Sequence, residues 1–448
     1  MEINFKVKKT KDNNFNTIEL KIDDKKDFGK FTIIDKNNYN FYLGNKTKTT
    51  KETYRRIANK IFEFLQDHEI ENINIILKEN VIEFLEGFIL SDYKFDKYIS
   101  KKQKTKLKKI NIITSKDYTK ELKELKTITK NINIVRDLIN ENSNVLTPDK
   151  FVQLTKEYFK NTSVKIEIFD EKRLLKENLN LIHTVGKGSI NKPRFVLLKY
   201  MPNENDKIYS LVGKGVTYDT GGYYLKPFPG MNEMKGDMAG AATILGAFKS
   251  LVELNTKKNI IVGLPLAENS VDGQAYKPGD VYESYSKQTV EIVHTDAEGR
   301  LILADAISYI DTKYKPELII DMATLTGAMI IALGDNLIGM FCDKKNKYTK
   351  ILFESGEQTG EQVWELPIYE EHKEQLQSSI ADIKNLGTDN KSAGSIVAGA
   401  FLMSFVKNSK LIHLDIAAAA LNNKPYYYWP SLGTGKGVRL LVDFFNKI

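Results

Sequence analysis

At 448 residues the chain exceeds what one hydrophobic core usually supports, so two domains are expected. Hydrophobic content of 42% and charged content of 28% place it with ordinary soluble globular proteins. The net charge of +8 is modest for this length and argues for no polyanionic partner. No window approaches the run of roughly 18 apolar residues that spans a bilayer. The N-terminus, MEINFKVKKTKDNN, is charged and lacks the apolar core of a signal peptide. A cytoplasmic protein with no membrane role is expected. A single cysteine, Cys342, excludes an internal disulfide and a cysteine-based zinc site. It ends an apolar run, Ile338 to Cys342, and is expected to pack there.

Along the chain, Tyr54 to Phe64 has a helical pattern and Ile73 to Leu77 (INIIL) reads as a buried strand. The basic run Lys101 to Lys109 (KKQKTKLKK) reads as a solvated loop, because it lacks the interleaved aromatics of a single-strand binding groove. Ile110 to Ile113 (INII) is a second strand. This alternation predicts a small α/β domain with a parallel or mixed sheet over residues 1–128. Tyr118 to Ile139 is a long charged helical pattern, and residues 129–146 are read as a connecting helix and linker. Thr147-Pro148-Asp149 is a helix start with proline just inside the cap. From residue 147 to 448 the pattern is again α/β. Strands are expected at Phe195 to Lys199, Tyr209 to Val212, Asn259 to Leu264, Thr289 to His294 and Glu317 to Asp321. Helices are expected at Asp237 to Ser250, Glu298 to Ile310 and Ala393 to Val406. The fold class is therefore α/β in two domains, the larger one having a central mixed sheet flanked by helices.

Only five histidines occur, and no HExxH, so a histidine-rich zinc site is not supported. No Gly-x-Ser-x-Gly elbow is present. Gly433-Thr-Gly-Lys436-Gly fails as a phosphate loop, since Gly437 stands where serine or threonine would bind magnesium, and reads as a structural turn. Carboxylates remain. They gather beside glycines in two stretches where a strand runs into a helix: Val212 to Gly222, continuing to Ala242, and His294 to Leu301. Such strand-end loops are where α/β sheets bind ligands. Bridging carboxylates offset the repulsion of two close divalent ions, and oxygen ligands suit Mn²⁺, Mg²⁺ or Zn²⁺.

The set VGKGVTYDTGG…LKP…MKGDMAGAA, followed by TDAEGRLILADA, resembles the leucyl aminopeptidase (cytosol aminopeptidase) family. Arg136 to Glu141 with Asn144 to Pro148, Tyr276 to Val281, Ala323 to Ala328, Ser392 to Gly394 and His413 to Ala417 fall in the family's order. The likeness is strong over roughly residues 130–448 and faint before that. It implies a metal-dependent aminopeptidase that releases N-terminal residues, leucine-like ones preferred, by means of water held between two metal ions. Lys214, Asp219, Asp237 and Glu298 would hold one ion, and Asp219, Asp296 and Glu298 the other. Lys226 and Arg300 would be the catalytic residues that bind no metal. Lys226 would stabilise the oxyanion, and a bicarbonate at Arg300 would move protons. The substrate's α-amine would meet a metal and Asp237, which makes the enzyme an exopeptidase. Met234, Thr324, Leu325 and Gly327 would line the pocket for the first side chain. The resemblance also implies two zinc or manganese ions per subunit, peptide substrates and a homohexamer.

One departure borders the site: His294 stands where the family usually has asparagine. It reads as a hydrogen-bonding residue beside the ligands, with a ligand or proton-shuttle role as the alternative. Asn140 to Asn144 also replaces a segment that usually carries proline. Two other readings of the chain stay open: a dipeptidase specialised for Cys-Gly on the same site, and a nucleic-acid-binding protein on the same scaffold. The second has only Lys101 to Lys109 in its favour.

Overall fold

The computed structural model describes residues 1–7, 12, 14–102, 105–203, 205–342, 347–388 and 392–448. Two compact units divide the chain: Met1–Asn133 with Asn422–Ser431, and Ile134–Leu421 with Leu432–Ile448.

In the first unit six strands form one sheet. They are β1 (Glu2–Val7), β2 (Asn16–Lys21), β3 (Phe31–Asp35), β4 (Asn38–Tyr42), β5 (Asn72–Ile76) and β6 (Lys109–Thr114), in the order β1-β6-β5-β2-β4-β3. All neighbours are parallel except β3 and β4. The two-residue period of INII explains the interior. Ile73, Ile75, Ile110 and Ile112 enter one core with Ile57, Ile61 and Leu65 of helix α1 (Lys51–Asp67) and Phe84 and Phe88 of α2 (Val81–Ser91). Asn74 and Asn111, which alternate with them, are buried too, and Asn111 donates to the Asn74 side chain at 3.1 Å. Thr50 and Thr53 form a capping box that starts α1. The late segment Asn422–Ser431 joins this unit through Tyr428, whose hydroxyl donates to Glu52 at 2.9 Å, and through the Arg56 guanidinium over the Tyr426 and Tyr427 rings. Gln103 and Lys104 of the basic run lie outside the described residues. Helix α3 (Thr119–Asn140) carries the chain across the division between the units.

The second unit starts with α4 (Pro148–Phe159), where the Thr147 side chain caps the Lys150 amide and Pro148 occupies the first turn. Then come β7 (Lys165–Phe169), α5 (Glu171–Lys176), α6 (Asn180–Gly186), β8 (Arg194–Tyr200), β9 (Ile208–Gly213), β10 (Gly215–Asp219), α7 (Ala239–Glu253) and β11 (Asn259–Asn269). They are followed by β12 (Val281–Glu283), β13 (Thr289–Glu291), α8 (Gly299–Tyr314), β14 (Leu318–Ala323), α9 (Gly327–Leu333), β15 (Ile338–Phe341), β16 (Val363–Glu365), β17 (Ile383–Lys384) and β18 (Lys410–Asp415). The main sheet runs β16-β15-β18-β14-β9-β11-β8-β7, with β10 alongside β11. Its centre, β18-β14-β9-β11, is parallel, and β8, β7 and β15 are antiparallel to their inner neighbours. The central strands read as continuous apolar runs because both faces are covered. Val212, Ile261 and Ile319 share a core with α6, α8 and helix Gly394–Met403. Gly213, facing the other way, lies under α7, where a Cβ would come within 2.6 Å of the Ala241 backbone.

One expected strand is shorter and lies elsewhere. Thr289 to His294 was expected as a strand, but only Thr289–Glu291 pairs, in the small sheet β12-β13-β17. The ladder ends because the amides of Val293 and His294 are taken by the side-chain oxygen of Asn385, at 2.8 and 3.2 Å. Cys342 is buried, as its apolar run implies. The Gly433–Gly437 turn is structural in use: Gly437 has φ +101° and donates its amide to Glu361, and the buried Lys436 reaches Asn336. Among the described residues, no helix is long and apolar enough to cross a membrane.

Candidate active site

The parallel strands β9 and β14 end at Gly213 and Ala323, and β10 ends at Asp219. The loops beyond these ends bring both sequence motifs together. Lys214 sits between β9 and β10, its amide donating to Met322 and its carbonyl accepting from Ala241. Its side chain is buried, and Nζ lies 2.8 Å from Asp237 Oδ1, 2.9 Å from the Thr324 carbonyl and 3.0 Å from Glu298 Oε1. Gly299 makes room for it: a Cβ there would stand 2.4 Å from Lys214 Cε. A side chain there would have to displace the Lys214 side chain from its three partners.

Asp219 is also buried. Its Oδ1 accepts from the Gly221 amide at 2.9 Å and from Asn269 Nδ2 at 2.8 Å, and its Oδ2 faces Lys226 Nζ at 2.8 Å. Gly221, with φ +87°, turns the chain so that this amide points back at the carboxylate. Lys226 Nζ also lies 2.5 Å from Asp296 Oδ1. Asp237 follows a short 3₁₀ segment, Gly230–Gly236, and precedes α7. Its Oδ1 accepts from the Thr324 hydroxyl at 2.8 Å. Glu298 stands at the start of α8, and Arg300 in its first turn. Asp219, Asp296 and Glu298 each offer an oxygen within 4.8 Å of the others, a group able to hold a metal ion.

Four carboxylates thus crowd against two ammonium groups in a nearly dry place. Burial, then Glu298, pushes Asp219 up to about 7; burial, only partly offset by Lys214, pushes Asp237 up to about 8. Burial and Glu298 also raise Asp296. Glu298 goes the other way, because Lys214 and Lys226 outweigh the cost of burying it. Burial likewise opposes charge on Lys214 and Lys226, but the surrounding carboxylates win and hold both ammonium groups well above the ordinary range. Four carboxylates against two ammonium groups leave the place short of positive charge. Among the described residues, the buried Asp237 Oδ2 and Glu298 Oε2 have no hydrogen-bond partner. Buried carboxylate oxygens are costly without a partner, and a divalent cation supplies one. The donor set therefore fits metal ions.

Arg300 is buried, donates Nη1 to the Asn385 carbonyl at 2.8 Å, and has no partner for Nε among the described residues. Burial lowers its pKa to about 10, against the pull of Glu298 and Asp415. Of the pocket candidates, Thr324 bonds Asp237 directly and Leu325 follows it, packed in part against the core. Gly327 opens α9 with nothing near the place a Cβ would occupy, and Met234 lies in the 3₁₀ segment, accepting from the Asp237 amide. His294 is outside the metal-holding group. Its Nδ1 accepts from the Asp296 amide at 3.1 Å, and its ring stacks on Tyr224 with centroids 3.9 Å apart.

Three supporting residues escaped the sequence reading. Asn269 links Asp219 to the Thr295 carbonyl. Tyr276 donates to that same carbonyl at 2.6 Å. Asn385 holds Val293, His294 and Arg300 together. Two are neutral amides, and nothing in charge or spacing marks them. Tyr276 did carry a signal, its place in Tyr276-Lys-Pro-Gly-Asp, but none that pointed to this contact.

A buried carboxylate cluster at the carboxyl ends of parallel strands is the layout of a hydrolase that works with bound metal ions. Residues 133–442 match the Cytosol aminopeptidase family, catalytic domain, and residues 43–102 the N-terminal domain of that family. The chain is 37% identical to a probable cytosol aminopeptidase of Clostridium perfringens, covering 90% of this chain and 85% of that one. It is 39% identical to a protein of the same description from Geotalea uraniireducens, covering 91% and 84%. Among solved structures, the bottromycin maturation enzyme BotP in complex with Mn superposes with a TM-score of 0.88 at 28% identity, covering 96% of this chain and 99% of that one. The chain belongs to the cytosol aminopeptidase family, and it is a metal-dependent aminopeptidase, a peptidase hydrolase.

Proposed function

We propose that the enzyme holds two divalent ions, manganese or zinc, with Lys214, Asp219, Asp237 and Glu298 at one and Asp219, Asp296 and Glu298 at the other; Lys214 would ligate as the neutral amine, its proton displaced by the charge of the incoming cation. The observation that carries this is the buried carboxylate group, in which Asp237 Oδ2 and Glu298 Oε2 find no partner among the described residues. The manganese bound by BotP supports that choice of ion. Bound there, divalent ions would supply Lewis acidity and lower the pKa of a bound water.

The chain's own residues do the rest. Lys226 stays protonated among its carboxylates and donates to the oxyanion of the attacked carbonyl. Arg300, whose Nε has no partner among the described residues, would hold a small anion such as bicarbonate, able to carry protons. Asp237 Oδ2 receives the substrate's α-amine, which restricts cleavage to the first peptide bond. Met234, Thr324, Leu325 and Gly327 form an apolar pocket that prefers leucine-like residues. Such pockets discriminate by only about 1–3 kcal/mol per methylene, so the preference is broad. Residues 147–448 are the catalytic domain, 129–146 its connection, and 1–128 serve assembly or regulation. The enzyme works on peptides in the cytoplasm as a homohexamer, which light scattering tests.

Hydrolysis of leucine anilide before and after exhaustive chelation tests the reading as a whole. Activity lost on chelation and restored by Mn²⁺ or Zn²⁺ is expected; full activity without metal would overturn it. Rates on leucine amide and Cys-Gly, compared at equal enzyme, test the preference.

A further inference from the structure

Lys226 is carried by a loop with little apolar anchorage. Tyr223 is 44% exposed, Tyr224 46%, Leu225 61% and Phe228 85%. Backbone contacts hold part of it: the Lys226 amide donates to the Thr220 carbonyl at 2.9 Å, and the Tyr224 amide to the Thr295 hydroxyl at 2.9 Å. That hydroxyl in turn donates to the Gly221 carbonyl at 2.6 Å. Side chains add two kinds of tie: the Tyr223 hydroxyl donates to the Asp272 carbonyl at 3.1 Å, and the Tyr224 ring stacks on His294, with centroids 3.9 Å apart and 15° from parallel.

The His294 end of this stack is fixed. Asn385 accepts from the His294 amide at 3.2 Å and donates to its carbonyl at 2.7 Å. Nδ1 accepts from the Asp296 amide at 3.1 Å, which sets the ring plane. The ring therefore offers a rigid aromatic face, and the half-exposed Tyr224 lies flat on it. Offset ring stacking adds about 0.5–1.5 kcal/mol beyond the area buried. Two residues on, Lys226 Nζ reaches both Asp219 and Asp296.

We infer that the Tyr224–His294 stack is a positioning device for Lys226: His294 acts through the face of its ring, and Tyr224 transmits its fixed position to the Lys226 loop. The inference rests on the proposed role of Lys226 and adds two residues that touch no reacting atom. It separates two properties of His294, the ring face and the Nδ1 acceptor. Phenylalanine at 294 keeps the face and loses the acceptor. Asparagine keeps a polar side chain and loses the face.

The test uses the full chain loaded with Mn²⁺, and compares His294→Phe, His294→Asn, Tyr224→Phe, Tyr224→Ser and the double variant H294N/Y224S. Misplacement of a catalytic group by about 1 Å can lower a rate a hundredfold. His294→Asn and Tyr224→Ser should lower kcat by about ten- to a hundredfold, with KM and bound metal little changed. His294→Phe and Tyr224→Phe should stay within about threefold of the parent. The double variant should be no worse than the weaker single one, because both break the same contact. A second readout needs no activity: in metal-free protein, amide hydrogen exchange over Gly222 to Lys226 should quicken in His294→Asn and not in His294→Phe.

Loss of activity in His294→Phe with retention in His294→Asn would overturn the inference in favour of the Nδ1 acceptor. So would multiplied losses in the double variant. Lys226→Ala is run beside them. Full activity in Lys226→Ala means the catalytic reading itself fails. Loss there, with His294→Asn and Tyr224→Ser both unimpaired, means that only this inference fails.

Discussion

Two buried carboxylate sites of the larger unit look alike by burial and differ in completion. Glu361 lies in the interior, yet its oxygens accept from Arg439 Nε at 2.9 Å, the Gly437 amide at 2.9 Å and the Leu440 amide at 2.8 Å. It ties down the start of the C-terminal helix Val438–Lys447. The cluster at the strand ends has four carboxylates, two ammonium groups and, in Asp237 Oδ2 and Glu298 Oε2, oxygens with no partner among the described residues. Burial alone does not tell the sites apart, and neither does a raised pKa. Asp305 is pushed up to about 7 by burial, as Asp219 is, yet it accepts from the amides of Leu181, Ile182 and Tyr285 and serves the scaffold. What separates them is whether the protein itself finishes the bonding. At Glu361 the finished charge holds the fold; at the strand-end cluster the unfinished carboxylates await a ligand.

The largest expected effect is at the unfinished site. Asp219→Ala should abolish metal binding and activity together while the far-ultraviolet dichroism stays native. Retained metal at parent stoichiometry would remove Asp219 from the ligand set. Next comes Lys226→Ala, which should keep its metal and lose about 10²–10³ in kcat, the usual cost of one oxyanion donor. Metal loss equal to that of Asp219→Ala would mean Lys226 is misassigned.

At the finished site the effect should fall on stability. Glu361→Ala leaves Arg439 buried without this carboxylate and should cost about 3–5 kcal/mol in denaturant unfolding. Activity per folded molecule should be unchanged; a specific loss of kcat would blur the distinction drawn above.

The smallest effect is a pH slope. His413 Nδ1 lies 2.6 Å from Asp321 Oδ1, both fully buried, on the paired strands β18 and β14. Burial opposes charge on His413, but Asp321 and Asp415 outweigh it and raise its pKa. Burial raises Asp321 as well. Either way the pair keeps one proton to higher pH than the unfolded chain does. Its contribution is therefore complete below the unfolded histidine pKa of about 6.5, and is lost as pH rises through the folded value. The slope is at most about 1.4 kcal/mol per pH unit. Urea midpoints at pH 6 and 9 should fall further in the parent than in His413→Gln; equal falls would contradict this.

Much of the architecture was legible in the sequence, for identifiable reasons. The apolar runs INII and ELIID become strands because they are buried on both faces, and Thr147-Pro148 starts a helix by its own chemistry. The two stretches stood out because carboxylates gather beside glycines at strand ends; the family resemblance singled out Lys214, Asp219, Asp237, Asp296 and Glu298 within them, and the fold does gather these five. Their supports did not stand out. Asn269 and Asn385 are neutral, lie far along the chain from what they hold, and act through bonds that no local pattern encodes. Asn385 also explains why Thr289 to His294 stops pairing early. The membership of Asn422–Ser431 in the first unit depends on aromatic contacts with Arg56, which are tertiary and leave no periodic trace.

Calorimetric titration of chelator-treated protein with Mn²⁺, run on the parent and on Asp219→Ala, tests the central claim most directly. The account predicts two equivalents bound by the parent with activity rising in step, and no binding at the cluster in Asp219→Ala. Identical isotherms for the two proteins would contradict it.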